Sequence, residues 1–337
     1  MSNYSYVATR ARSRRSRLLP PEAYTQLLNL DLPEIARYIQ DLEYRREIDR
    51  YGSKFTGADL IEMALVDNLA EDVGDFLGFS TGKLREILVT YAERYRVDNL
   101  KNIMRGVNQS MSPEDIERLV CPINESDKEL YKRLYESKTV DDLIVLLEGT
   151  PYHQSLKKAS ENRQQDSLQP LEDALDLDYY QHLVENLPSG GADAEIYNNF
   201  IQLKVDVANI KTLLRLRHRN IQGHNELFIS GGSIKTELLD SINTINDLVN
   251  ALEGTKYHEL VSPHFEGEKA DLNACVQDLE HYIVNRTKRF SYLYPLSVLP
   301  VLDYLLRKER EVYNLRAIVR GKQTGLSSEI IEELVMV

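Results

Sequence analysis

The sequence predicts an all-α protein built from three copies of one helical unit, each roughly 105 to 110 residues long. The prediction rests on a long-period repeat, on apolar residues spaced for one helix face inside each copy, and on the lack of convincing period-two alternation. Only 11 prolines and 16 glycines interrupt the 337 residues, fewer than average usage would place there, so long unbroken elements are expected.

The repeat is plainest between Val97–Val120, VDNLKNIMRGVNQSMSPEDIERLV, and Val312–Val335, VYNLRAIVRGKQTGLSSEIIEELV. Aligned without a gap at an offset of 215, they share 12 of 24 residues. The middle copy carries VANIKTLLRL at Val207–Leu216, 110 residues after the first and 105 before the third. Asn99, Asn209 and Asn314 coincide, as do Lys101, Lys211 and Arg316, and then Arg105, Arg215 and Arg320. A separate stretch keeps the same period. Asp142–His153, DLIVLLEGTPYH, and Asp247–His258, DLVNALEGTKYH, share 8 of 12 residues at an offset of 105. A weaker first copy lies 108 residues earlier, at Ile35–Arg45, where Ile39 and Tyr44 stand for Leu147 and Tyr152. The chain divides accordingly into helical repeats at 1–125, 126–233 and 234–337.

Taken in order, each copy explains its own helices. The chain opens on a basic stretch with Arg10, Arg12, Arg14, Arg15 and Arg17, halted at Pro20-Pro21. Leu84–Tyr95 is helical and leads into Leu100, Ile103 and Met104, whose i, i+3, i+4 spacing makes one apolar stripe. Arg105 suits a last turn, and Gly106 is expected to stop the helix. Ser112 before Pro113, with Asp115 beyond, opens the next helix as an N-cap. Glu195–Leu203 leads likewise into Ile210, Leu213 and Leu214, but Leu216 replaces the glycine, so this helix is expected to run on through Arg217 and His218 towards Gly223. Leu299–Glu311 leads into Leu315, Ile318 and Val319, then Arg320, Gly321 and a restart at Ser327 and Glu329. Asparagine is unfavourable in mid-helix. Its recurrence at one position suggests an amide bonding a neighbouring helix or loop in each unit; the functional alternative is three equivalent ligand sites.

Composition excludes several function classes. A formal charge of −12 argues against nucleic-acid binding, which needs a basic surface, and weakens adhesion to anionic lipid. The five N-terminal arginines are the exception, either as a solvated helix face or as a contact with an acidic partner. They are followed by no apolar run of the kind a secretory signal needs. Two cysteines, Cys121 and Cys275, without CxxC spacing, suit a reducing compartment better than a disulfide framework. The most apolar stretch, Tyr294–Leu306, contains Pro295, Pro300 and Asp303 and falls short of a membrane span.

Catalytic signatures are approached but not met. Gly78-Phe-Ser-Thr-Gly82-Lys83-Leu84 lacks the spacing and the hydroxyl of a phosphate loop, so Thr81 reads as an N-cap. His258-Glu259 begins like a zinc-protease helix, but Ser262 stands where the second histidine belongs, and His153 repeats His258 in the preceding copy. No catalytic residue, metal ligand or cofactor is expected.

The stretches Tyr95–Gly106 and Lys308–Lys322, with the opening Tyr4–Arg12 through Arg17-Leu18-Leu19, resemble the C subunits of archaeal-type (A-type) ATP synthases, which are homologous to the d subunits of V-type ATPases. The resemblance spans essentially the whole chain. It implies three helical-bundle domains around a pseudo-threefold axis, funnel-shaped, without catalysis of their own. It further implies a place in the rotor, on the cytoplasmic face of the cell membrane, between the proteolipid (c/K) ring and the D and F subunits of the central stalk. The competing reading is a generic helical scaffold or adaptor with no part in ion transport.

Overall fold

The computed structural model describes residues 2–161, 163, 167–223, 225–265 and 271–335. The protein is all-α, with no strand among these residues. Its helices in order are α1 (Tyr4–Arg15), α2 (Pro21–Leu28), α3 (Leu32–Gln40), α4 (Arg45–Tyr51), α5 (Gly57–Phe79), α6 (Gly82–Asn108), α7 (Pro113–Glu117), α8 (Glu125–Tyr135) and α9 (Val140–Leu146). They continue as α10 (His153–Glu161), α11 (Gln169–Glu185), α12 (Ala192–His218), α13 (Thr236–Ser241), α14 (Ile245–Ala251), α15 (His258–Val261), α16 (Leu272–Leu293), α17 (Leu299–Gln323) and α18 (Ser328–Leu334). The chain forms two compact units, one of Met1–Glu172 with Pro300–Val337 and one of Asp173–Leu299. No described helix is long and apolar enough to cross a membrane.

The repeat is carried by long helices that follow one another in the chain, α5 then α6, α11 then α12, and α16 then α17. The helical stretches expected before each asparagine are continuous with it, in α6, α12 and α17. Short helices open with the same device in every copy. Asp31, Thr139 and Thr244 each cap a helix by accepting a hydrogen bond from the backbone N–H three residues on, and the carboxylate of Glu34, Asp142 or Asp247 there accepts one from the cap's own N–H. The offsets of 108 and 105 are those of the sequence repeat. Ser112 and Ser327 cap α7 and α18. Thr81 stands at the N-cap of α6.

The helix ends correct two expectations. Gly106 and Gly321 do not stop their helices, which run on to Asn108 and Gln323. α12 does run on through Arg217 and His218, but it ends there, at the counterpart of Asn108, and does not continue towards Gly223. All three helices close with one Schellman arrangement, whose left-handed residue is Ser110, Asn220 or Gly325 at φ of 54°, 54° and 74°. The N–H of Met111, Ile221 and Leu326 reaches back to the carbonyl of Gly106, Leu216 and Gly321 at 2.9 to 3.0 Å. That carbonyl is available from any residue, so the glycine is not required for the stop.

What the glycine provides is space. A Cβ on Gly106 would lie 2.6 Å from Ile116 Cγ1, and one on Gly321 would lie 2.5 Å from Ile331 Cγ1. Ile116 and Ile331 are themselves equivalent, two repeats apart, and buried. In the middle copy the corresponding pair is buried Leu216 and exposed Glu226. The apolar side chain of that layer comes there from the long helix instead of the returning segment.

The core is aliphatic with buried tyrosines, among them Tyr44, Tyr91, Tyr131, Tyr197 and Tyr257. Cys275 lies in it with no exposed surface, and burial pushes its thiol up to about 12. In the native protein Cys275 is therefore expected to resist an aromatic disulfide reagent at pH 8 and to react once urea unfolds its unit. Rapid native labelling of Cys275, scored by peptide mapping, would contradict its packing.

Candidate functional site

The long helices α6, α12 and α17 bring the sequence-predicted residues onto one repeated frame, with a charged position that identity alone conceals. Three residues before each asparagine stand Arg96, Asp206 and Glu311. Glu311 accepts hydrogen bonds from the Tyr44 phenol at 2.5 Å and the Leu19 N–H at 2.6 Å. Asp206 accepts from the Tyr257 phenol at 2.6 Å, the Ile234 N–H at 3.0 Å and the Ser233 hydroxyl at 2.5 Å. Arg96 instead donates to Asp127 at 2.9 Å and interacts electrostatically with Tyr152. One repeated tyrosine thus faces one repeated charged position. In the first two copies it comes from the segment that follows the long helix; for α17 it comes from the N-terminal segment. Burial and then the Glu311 carboxylate hold the Tyr44 phenol well above its ordinary value, so it remains a neutral donor.

Asn99 and Asn209 act as clamps on single backbone residues. Asn99 donates to the Cys121 carbonyl at 2.8 Å and accepts from the Cys121 N–H at 2.7 Å. Asn209 does both with Ile229, at 2.8 Å each. Asn314, fully buried, is hydrogen-bonded to the Tyr24 phenol. Asn209→Ala is expected to lose roughly 2 to 4 kcal/mol, because it strands a buried N–H and a buried carbonyl. Asn99→Ala should lose less, since Cys121 is only half-buried and water can reach its backbone. Urea unfolding of the two variants checks the order.

The repeated cations engage acidic residues of other long helices. Arg105 forms a two-pronged pair with Glu172, at 2.7 and 2.8 Å. Arg215 meets Asp173 at 2.9 Å, and Lys211 meets Glu280 at 2.6 Å. Arg320 grips Glu62, which is buried, and also reaches Asp59, while Arg316 lies 3.7 Å from the same Glu62. The Glu62 hydrogen bond, more than any other influence, raises the Arg320 guanidinium above its ordinary value.

The N-terminal arginines are spread over several partners rather than gathered into one patch. Arg14 pairs with Asp72 at 2.6 Å and with Asp75, and stacks over Phe76. Arg15 pairs with buried Asp303 at 2.6 Å. Arg10 lies over the rings of Phe79 and Tyr6, Arg17 reaches Glu43 at 3.2 Å in the open, and Arg12 is half-buried. Asp303 also receives Arg307 at 2.9 Å, so α1, α5 and α17 are tied by a shared set of charges.

Two cavities open beside these frames. One of about 520 Å³ lies against α5, with Arg46, Lys128 and Lys132 among Asp67, Glu71 and Asp75. The other, about 460 Å³, is lined by Lys235, Leu238, Leu252 and Tyr257. Among the described residues no three His, Cys, Asp or Glu side chains gather as a metal ion would require. His153, from the histidine repeat, is half-buried with its Nδ1 2.9 Å from the Ile144 carbonyl. The chemistry of this arrangement is mutual fixation, with charged residues of each long helix answered by a fixed partner on another element.

Comparison with known proteins matches the whole of this frame. Residues 7–334 match the family described as ATP synthase (C/AC39) subunit. The A-type ATP synthase C subunit of Haloferax volcanii is 34% identical over 342 residues, covering 99% of this chain and 98% of its own length. The same-named proteins of Methanosarcina mazei and Archaeoglobus fulgidus are 33% and 34% identical, covering 100% and 99% of this chain and 93% and 96% of their own lengths.

Proposed function

The chain belongs to the ATP synthase (C/AC39) subunit family, and from that membership we propose that it is the non-catalytic coupling subunit of an A-type rotary ATP synthase. The carrying observation is that relatives named as A-type ATP synthase C subunits align with 99 to 100% of this chain and 93 to 98% of their own lengths. As one component of such a complex it works through protein partners. The proposed partners are the proteolipid (c/K) ring below it and the D and F subunits of the central stalk above it, on the cytoplasmic side of the cell membrane. The three repeats, at 1–125, 126–233 and 234–337, would then surround a pseudo-threefold axis as a funnel that receives the stalk.

The physical requirement of that role is stiffness, because a coupling that bends stores work without transmitting it. Helices of 22 to 27 residues, α6, α12, α16 and α17 among them, supply rigid struts. Ion pairs such as Arg105 with Glu172 and Arg320 with Glu62 tie one strut to the next. Side chains held this way resist sliding of one helix past another. The recurring asparagines and arginines are, on this reading, parts of the frame and not ligand sites.

Affinity purification of the tagged full chain from native membranes tests the assignment. Co-recovery of the catalytic and proteolipid subunits of a rotary ATP synthase is the expected result; recovery with other partners only would favour the scaffold reading and end this one. An acidic cap at −12 is electrostatically complementary to ring loops rich in Lys and Arg. Association with purified ring should therefore weaken several-fold between low and physiological salt.

A further inference from the structure

We propose that Tyr292–Leu296, the last two residues of α16 and the first three of the turn that leads to α17, is a membrane-surface anchor that enters the headgroup region of an anionic bilayer. Tyr292, Leu293, Tyr294 and Leu296 are exposed by 62%, 58%, 41% and 62% of their surface, consecutively but for exposed Pro295. Large exposed apolar residues so concentrated require an explanation that scattered ones do not. The fold does not supply it. At the offsets of 215 and 105 the same place holds Leu77–Thr81 at the end of α5 and Leu187–Gly191 after α11, where Leu77, Phe79 and Leu187 are half-buried and Ser80 and Pro188 buried. Two copies close their helix pair without presenting one exposed apolar side chain there, so the third carries them for something outside the fold.

Charge identifies the occupant. Between Glu280 and Asp303 the chain has Arg286, Lys288 and Arg289 and not one acidic residue, although it holds 53 acidic residues in all. Lys288 and Arg289 are exposed one turn behind the apolar residues, while Arg286 lies 4.5 Å over the Phe290 ring. Phe290 in turn packs against Tyr294, their ring centres 6.1 Å apart. Tyrosines at the boundary, leucines beyond and cations behind form the order in which a bilayer presents its own layers, with phosphate outside and acyl chains within. Five residues at a helical turn are too few for the ~800 Å² that each side of a stable protein interface buries. Lipid insertion has no such threshold, since each apolar side chain contributes by its own area.

The proposal rests on the peripheral placement above only for a bilayer to lie within reach, and it can fail alone. The full chain is sedimented with phosphatidylcholine vesicles containing about one third phosphatidylglycerol, and with neutral vesicles. Binding to the anionic set, weakened about fivefold for each of Lys288→Gln and Arg289→Gln, is expected. Leu293→Ser with Leu296→Ser, both exposed and harmless to folding, should abolish it. Because the chain has no tryptophan, Tyr292→Trp gives a single reporter, whose emission should shift to the blue and be quenched by brominated lipid. No binding to anionic vesicles, or binding indifferent to the leucine pair, overturns the proposal. So does loss of ring association in the leucine variant with vesicle binding intact, which would make the turn a protein contact. Vesicle binding lost while ring association persists leaves the coupling role standing and supports the anchor.

Discussion

Lys308→Met is expected to destabilise the unit that contains α17 by about 3 to 5 kcal/mol, the cost of leaving a buried carboxylate without its cation. Lys308 is 1% exposed and Glu311 3%. The ammonium donates to Glu311 at 3.2 Å and to the Tyr44 phenol at 2.8 Å, and lies 4.1 Å from the centre of the Tyr44 ring. After the substitution Glu311 keeps two neutral donors, the Tyr44 phenol and the Leu19 N–H, and among the described residues no other ion pair. Neutral hydrogen bonds are worth less than the desolvation of a carboxylate, so the net change is strongly unfavourable. Because the chain forms two compact units, hydrogen exchange of the α17 amides is a better readout than a single global midpoint. The double variant Lys308→Met with Glu311→Gln should regain more than half of the loss. Glutamine removes the stranded charge while its carbonyl oxygen still accepts from Leu19. A double variant no more stable than Lys308→Met would show that packing, and not the buried charge, sets the cost.

This network also marks where sequence reading stops. The repeat, the helical class and the asparagine row are legible because they depend on identity or periodicity at fixed offsets. The charged position is not. Arg96, Asp206 and Glu311 differ in sign, and each is answered by its own partner: Asp127 in the first copy, backbone N–H groups of Ile234 and Leu19 in the others. Only the shared tyrosine hints at the equivalence, and Tyr44 lies 267 residues from the glutamate it serves. The arginines stay hidden for a similar reason. A basic run reads as a surface, yet Arg14 and Arg15 spend their charge on Asp72, Asp75 and Asp303 of the same chain. Helix ends mislead because glycine is the habitual stop signal, whereas Ser110 and Asn220 take the left-handed position here. An exposed patch such as Tyr292–Leu296 has no sequence signature apart from a buried apolar run. Accessibility separates the two, and accessibility is a property of the folded chain.

The glycines that do not stop their helices should be among the least replaceable residues of the frame. Gly106→Ala and Gly321→Ala place a methyl group 2.6 and 2.5 Å from the Cγ1 of Ile116 and Ile331, well inside van der Waals contact. Alanine is the better helix former by about 1 kcal/mol, which by itself would make each change stabilising. Overpacking opposes this with about 1 to 3 kcal/mol. It should prevail here because the obstructing atoms belong to the buried root of a β-branched side chain, not to a flexible end. Ile116→Ala alone opens a cavity and should cost about 2 to 5 kcal/mol. Combined, the two are expected to cost clearly less than their sum, because the alanine methyl occupies part of the space that the isoleucine vacates. The middle copy presents this exchange ready-made in buried Leu216 and exposed Glu226, where the long helix supplies the apolar group itself. Leu216→Gly should accordingly destabilise its own unit, whereas Gly106→Leu should destabilise the other. Thermal unfolding of the four variants, Gly106→Ala, Ile116→Ala, their double and Leu216→Gly, measures the coupling. Strict additivity at the 106–116 pair would mean that the helix and the returning segment simply move apart, and that the glycine is not what holds them at this distance.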